Sequence, residues 1–153
     1  MDDLERRIAG HALAGLDTSI WIYHLEANKR YAALSNRILT AVQNGRPRAI
    51  LSVLTIMELG VQPYRVGRPG VAAHYEAMIS HFPSTRLVDV TPAVGRRAAQ
   101  LRATHNLRPA DALHVATSLV HGATAWITND REMRRLAPLI DVIVLDDFLD
   151  LTG

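Results

Sequence analysis

The 153-residue chain has no cysteine. That removes disulfides, thiolate zinc sites and cysteine nucleophiles, and it fits a reducing, cytosolic setting. It has a single lysine, Lys29, which lies early in a polar stretch. Receiver domains and haloacid-dehalogenase-type phosphatases also place an aspartate after a first strand, but both need a late lysine beside the phosphoryl group. The phosphatase type further wants a second aspartate two residues on, whereas Asp17 is followed by Thr18 and Ser19. No G-x-x-x-x-G-K-[ST] loop is present, no G-x-G-x-x-G follows a strand, and the histidines form no H-E-x-x-H. No nucleophile elbow supports a serine hydrolase. No apolar run approaches the ~20 residues that cross a bilayer, and the opening MDDLERRIAGH has no apolar signal core. No repeat, low-complexity tract or linker divides the chain. One domain over residues 1–153 is therefore expected, a size that buries roughly 70% of the unfolded surface.

What is present is an ordinary packed composition, 48% hydrophobic and 21% charged with a net charge of +2. All basic residues except Lys29 are arginine. The planar guanidinium suits phosphate recognition, although coding bias explains such a chain equally well. Short apolar runs, AGLD (14–17), AILSV (49–53), RLVDV (86–90), TAWIT (124–128) and DVIVL (141–145), alternate with helically spaced segments. Asn44-Gly45 is a helix stop, and Thr91-Pro92 reads as an N-cap with proline at the first helical position. A further helix is expected over 110–119, and REMRRLA reads as a short one. Five strands separated by helices predict a mostly parallel sheet covered on both faces, an α/β sandwich. Such sheets bind ligands beyond the carboxyl ends of the strands, where the strand order reverses.

Four acids carry the chemical interest, and each also has a purely structural explanation. Asp17 ends the first strand and is placed to cap the following helix. Glu58 stands three residues after Thr55, the spacing of a capping box. Asp111 follows Pro109 in a first helical turn, where the helix dipole favours an acid. Asp130, in ITNDREM, is placed to cap the next helix. Three of the four lie just beyond the carboxyl end of a strand or in the first turn of the helix that follows, and in a parallel sheet those ends share one edge. Asp89, Asp146 and Asp147 also lie near strand ends, and spacing alone does not set them apart. Two carboxylates 4 Å apart repel by roughly 4 kcal/mol at an effective dielectric of 20, so a cluster would take up protons or a cation. Hard oxygen donors favour Mg²⁺ or Mn²⁺ over zinc, and such an ion can promote attack on a phosphodiester. With the other α/β chemistries excluded, nuclease chemistry leads. His114, three residues after Asp111, shares its side of the helix.

The blocks LDTSIWI, SVLTIMELGVQP, LRPADALHVATSLVHGATAWITND and VIVLDD, in that order, resemble the PIN-domain family. The closest likeness is to VapC-type toxins, the ribonuclease halves of VapBC toxin–antitoxin pairs. It runs from about residue 13 to 149, and the D-A-L-x-x-A-T helix with the strand ending T-N-D is its most specific part. The resemblance implies a three-layer α/β/α sandwich with strand order 3-2-1-4-5. Strands one and four would then meet at the switch point with Asp17 and Asp130, leaving Asp89 and Asp146–Asp147 at the outer edges, away from the site. It implies an acidic site of Asp17, Glu58, Asp111 and Asp130, with Thr18 and Asn129 as supporting polar neighbours. Asp17, Asp111 and Asp130 would hold one or two Mg²⁺ or Mn²⁺ ions, with Glu58 a ligand or an orienter of water. The implied reaction is in-line hydrolysis of tRNA, rRNA or mRNA, leaving 5′-phosphate and 3′-hydroxyl ends, with Arg108 and Arg131 near enough in sequence to meet phosphates. It also implies a VapB-like antitoxin that covers the pocket, a homodimer and no membrane. Ile20, Trp21, Tyr23 and Leu25 are then either antitoxin groove or core. A PIN-like domain that binds RNA or protein without cutting is the alternative. The first eleven residues precede the usual start of such proteins, as a cap helix, a mis-assigned start or a partner contact.

Overall fold

The computed structural model describes residues 2–151. The chain opens with α1 (Asp3–Ala9), β1 (Leu13–Leu16), α2 (Thr18–Leu25) and α3 (Ala32–Gln43). It continues through β2 (Arg48–Ser52), α4 (Leu54–Arg65), α5 (Pro69–Ser80) and β3 (Thr85–Val88). Then follow α6 (Pro92–His105), α7 (Pro109–Val120), β4 (Ala125–Thr128) and β5 (Asp141–Val144). Two 3₁₀ helices flank β5, Arg131–Leu136 before it and Leu145–Leu151 after it. REMRRLA is thus a 3₁₀ segment rather than an α-helix. All strand pairings are parallel, in the order β3-β2-β1-β4-β5.

Period-two alternation divides the strand side chains between two cores. Ala125, Ile127 and Ile143 join Trp21, Ile38 and Ile79 in the layer built by α1 to α5. Trp126, Val142 and Val144 join Leu101, Val115 and Leu136 beneath α6, α7 and the first 3₁₀ helix. This is the expected three-layer sandwich. The local punctuation also holds. Gly45 takes φ +79° behind the Asn44 cap, and the Thr91 hydroxyl accepts from the Val94 N–H at 3.3 Å ahead of Pro92.

Helix α1 is a packed cap helix. Leu4 and Ile8 are fully buried in the first core, and Asp2 accepts from the Glu5 N–H at 2.9 Å. Arg7 donates to Asp141 Oδ1 at 2.6 Å, and His11 reaches Asp141 Oδ2 at 2.8 Å. The Arg7 guanidinium, with His11 adding, holds the Asp141 carboxyl below its ordinary range despite partial burial.

One glycine decides how closely α7 approaches the sheet. Gly15 lies in β1 opposite Ile50 and Trp126. A Cβ at this position would meet Ser118 Oγ at 1.9 Å and Trp126 Cε3 at 2.8 Å. The bare backbone of Gly15 therefore lets α7 lie against β1 and carry its first turn up to the strand ends.

Candidate active site

At the centre of the sheet β1 and β4 run side by side, and the order reverses there. The carboxyl ends of both strands open into one cavity of about 950 Å³. The ladder continues one step past β1, with the Asp17 N–H donating to Ile127 O at 2.9 Å. Asp17 occupies the N-cap position of α2 but makes no side-chain capping bond. Its Oδ2 instead accepts from the Thr128 hydroxyl at 2.6 Å. The same hydroxyl accepts from the Asp130 N–H at 3.1 Å, so one buried threonine ties the ends of both strands together. Asp130 does cap the following 3₁₀ helix, accepting from the Glu132 N–H at 3.0 Å.

The expected capping box around Glu58 does not form. Helix α4 starts with Val53 at the cap position, leaving Thr55 inside the first turn with a buried hydroxyl that has no hydrogen-bond partner. The Glu58 carboxylate turns inward instead, and its Oε1 accepts from the Thr18 hydroxyl at 2.8 Å and bonds His114 Nε2. Burial works against the charge on Glu58. The hydrogen bond and charge of His114, with the Thr18 hydroxyl, outweigh it and hold the carboxyl below its usual range. Asp17 goes the other way. Burial pushes its carboxyl up, and the charges of Glu58 and Asp111 add to this, beyond what the Thr128 bond and His114 offset.

Asp17, Asp111 and Asp130 all line the cavity, whereas Glu58 stands outside its lining, facing an apolar groove of about 240 Å³ between α2, α4 and α5. Asp111 lies in the first turn of α7 and accepts from Arg108 Nε at 3.1 Å. Arg108 Nη2 stands 3.9 Å from Asp130 Oδ2, so this exposed guanidinium bridges two of the three aspartates. Among the described residues no three His, Asp or Glu side chains are drawn together around a point that would hold a metal ion. Like charges separate, and arginine supplies the counter-charge where the acids stand alone. The acidic donors on the cavity wall are carboxylate oxygens, and burial disfavours the charge on Asp17. That chemistry fits a hard divalent cation.

The expected place of one acid needs correction. Asp146 was expected at an outer edge, but it lines the cavity because β5 neighbours β4. It accepts from the Tyr31 hydroxyl at 2.6 Å and pairs with Arg131 at 3.1 Å. Asp147 pairs instead with Arg134, and neither it nor Asp89 lines the cavity. Of the stretch read as either groove or core, Ile20 and Trp21 are fully buried core. Tyr23 faces the acidic cavity, and only Leu25 reaches the apolar groove, beside Ile22.

Asn129 joins these parts. Its amide donates to the Tyr23 hydroxyl at 3.1 Å, and its Oδ1 accepts from the Asp146 N–H at 3.0 Å. Tyr23 stacks on Tyr31 with ring centroids 4.6 Å apart. Tyr23, Tyr31 and Thr128 carry no recognisable spacing signal, since their hydrogen-bond partners lie far along the chain. Arg108, Arg131 and Arg135 complete a basic rim on the same cavity.

A PIN-domain family model matches residues 15–139. No curated protein matches the chain in sequence. Among solved structures the chain is similar to VapBC2 of Rickettsia felis bound to a promoter DNA fragment, with 15% identity and a TM-score of 0.68. That match covers 85% of this chain and 96% of that one. It is also similar to DNA-bound VapBC from Salmonella typhimurium, with 23% identity, a TM-score of 0.66 and coverage of 86% and 97%. FitAcB from Neisseria gonorrhoeae matches at 22% identity and a TM-score of 0.61, over 85% and 96%. At these identities the likeness establishes the fold.

Proposed function

The chain belongs to the PIN-domain family, and from that premise we propose that it is a metal-dependent endoribonuclease toxin neutralised by a cognate antitoxin. One observation carries the reading. Three aspartates from separate elements, the end of β1, the end of β4 and the first turn of α7, line a single cavity at the switch point. Asp130 also caps a 3₁₀ helix, but capping does not account for Asp17, whose buried charge makes no capping bond.

Asp17, Asp111 and Asp130 would hold Mg²⁺ or Mn²⁺. When bound, the ion would supply charge to activate water and to neutralise the phosphodiester as it reacts. Thr128 keeps Asp17 aimed by occupying its Oδ2. Glu58, supported by Thr18, adds negative potential behind Asp17 and would act on the ion or a water from outside the cavity lining. Arg108 would leave Asp111 and Asp130 when a cation takes over as their counter-charge. With Arg131 and Arg135 it would then receive the phosphates of an RNA strand. Asn129 holds Tyr23 and the Asp146 backbone in place around that path.

The structural neighbours are toxin–antitoxin complexes, which supports an antitoxin partner here. The groove lined by Ile22, Leu25, Leu59, Pro63, Val66 and Tyr75 suits the apolar face of a partner helix. Met57, Val61 and Tyr64, an exposed stripe on one side of α4, would bury apolar surface in a homodimer. No helix among the described residues is long and apolar enough to cross a membrane, and a cytoplasmic site of action is part of the proposal.

The experiment is incubation of a mixed tRNA and rRNA pool with the protein. Cleavage is expected with Mn²⁺ and is expected to stop with EDTA. Cleavage that survives chelation would contradict the metal mechanism. RNA binding without cleavage under any metal would favour the non-cleaving alternative.

A further inference from the structure

Glu58 is the one acid of the four that reaches the site from behind, and what holds it is a histidine on the opposite layer. His114 sits in α7 among Ala112, Val115 and Ala116, all fully buried, and its own side chain is 3% exposed against 32% for Asp111. The two share one side of the helix at three-residue spacing, so Asp111 faces the cavity while His114 points beneath it. A buried imidazole is costly unless its polar atoms are satisfied. Its Nε2 bonds Glu58 Oε1, and the ring packs against Trp126 with centroids 6.1 Å apart. The bond joins a helix of one layer to a helix of the other. An ionised carboxylate can only accept, so Nε2 carries the proton it shares with Glu58. Thr18, itself buried, donates to the same oxygen. Oε1 thus takes both donors, and among the described residues Oε2 has none. Asp17 shows the same pattern, with Oδ2 taken by Thr128.

We propose that His114 is a positioning residue that fixes the orientation of the Glu58 carboxylate beside Thr18, and through it sets the metal affinity of the acidic site. The proposal rests on the metal-dependent reading above. Histidine suits the role because a long, rigid donor can reach from a packed helix without drawing water into the core. A residue that merely filled space would work through the melting temperature and leave the affinity of a correctly folded protein unchanged.

The test measures Mn²⁺ binding by the full chain, through loss of the free-ion electron paramagnetic resonance signal, together with metal-free melting. His114→Leu is expected to weaken Mn²⁺ binding by about 10- to 100-fold. His114→Gln, whose terminal amide can donate from nearly the same place, is expected to restore binding to near wild-type strength. In a Glu58→Gln background, His114→Leu is expected to add no further loss, because the two residues act as one unit. Wild-type affinity in a folded His114→Leu protein, or a full additional loss in the Glu58→Gln background, would overturn the proposal alone. Should His114→Leu fail to fold, His114→Gln carries the decision, and a tenfold loss there would overturn the donor role. A wild-type protein with no affinity for Mn²⁺ would overturn the underlying reading as well.

Discussion

Replacing Asp17 with asparagine is expected to lower RNA cleavage by at least about 100-fold, the upper range for residues that only support a metal site. The metal-free variant should be as stable as the wild type or more so. Asp17 makes no helix-capping bond, so the substitution removes no cap. The amide oxygen of asparagine can still accept from Thr128, whose hydroxyl bonds Asp17 at 2.6 Å. What is lost is a charge that burial disfavours and that Glu58 and Asp111 repel. The sign of the pH dependence follows from the raised folded-state value. Below the carboxylate range Asp17 is protonated in folded and unfolded chains alike, and wild type and variant should melt together. As pH rises through the unfolded value, the unfolded chain ionises first and the wild type loses stability that the variant keeps. The gap reaches full size above the raised folded value. Melting in EDTA across this range checks it, since 1 kcal/mol moves the melting temperature of such a chain by about 2–4 °C. A variant that melts far below the wild type without metal would make Asp17 a structural residue.

Gly15→Ala is expected to damage the fold most. The added Cβ meets Ser118 Oγ at 1.9 Å, Trp126 Cε3 at 2.8 Å and Ser118 Cβ at 2.9 Å. Neither neighbour has room to give, because Ser118 and Trp126 are both buried, and Trp126 is packed into the second core. Overpacking of this kind costs about 1–3 kcal/mol and can cost more. Relief requires α7 to move away from β1, and α7 carries Asp111 and His114, so cleavage should fall with stability. Adding Ser118→Ala removes the closest contact but leaves the Cβ and the indole, so partial rescue is expected in chemical denaturation. A Gly15→Ala protein with wild-type stability would mean that α7 is not held against β1 as described.

Much of this was legible in the sequence, for reasons that differ between its parts. The five apolar runs and their helical separators carry their periodicity locally, and the strand bounds differ from them by at most two residues. Thr91-Pro92 and Asn44-Gly45 act within a few residues of themselves and were readable for that reason. Thr55 and Glu58 show the limit of local spacing. Their capping-box pattern is real in sequence, yet Thr18 and His114, 40 and 56 positions away, take the carboxylate. Asp146 follows the edge strand β5, which suggests an outer position, but it lies in the 3₁₀ helix beyond that strand, where Asn129 accepts from its backbone N–H, a contact that local spacing does not reveal. His114 was visible only as a three-residue spacing from Asp111; its partner lies on another layer.

Analysis of the ends of cleaved RNA tests the central claim most directly. Hydrolysis at the aspartate site predicts 5′-phosphate and 3′-hydroxyl termini, formed only with divalent metal present. Products bearing 2′,3′-cyclic phosphate and 5′-hydroxyl ends would contradict it, because the RNA's own 2′-hydroxyl would then be the nucleophile.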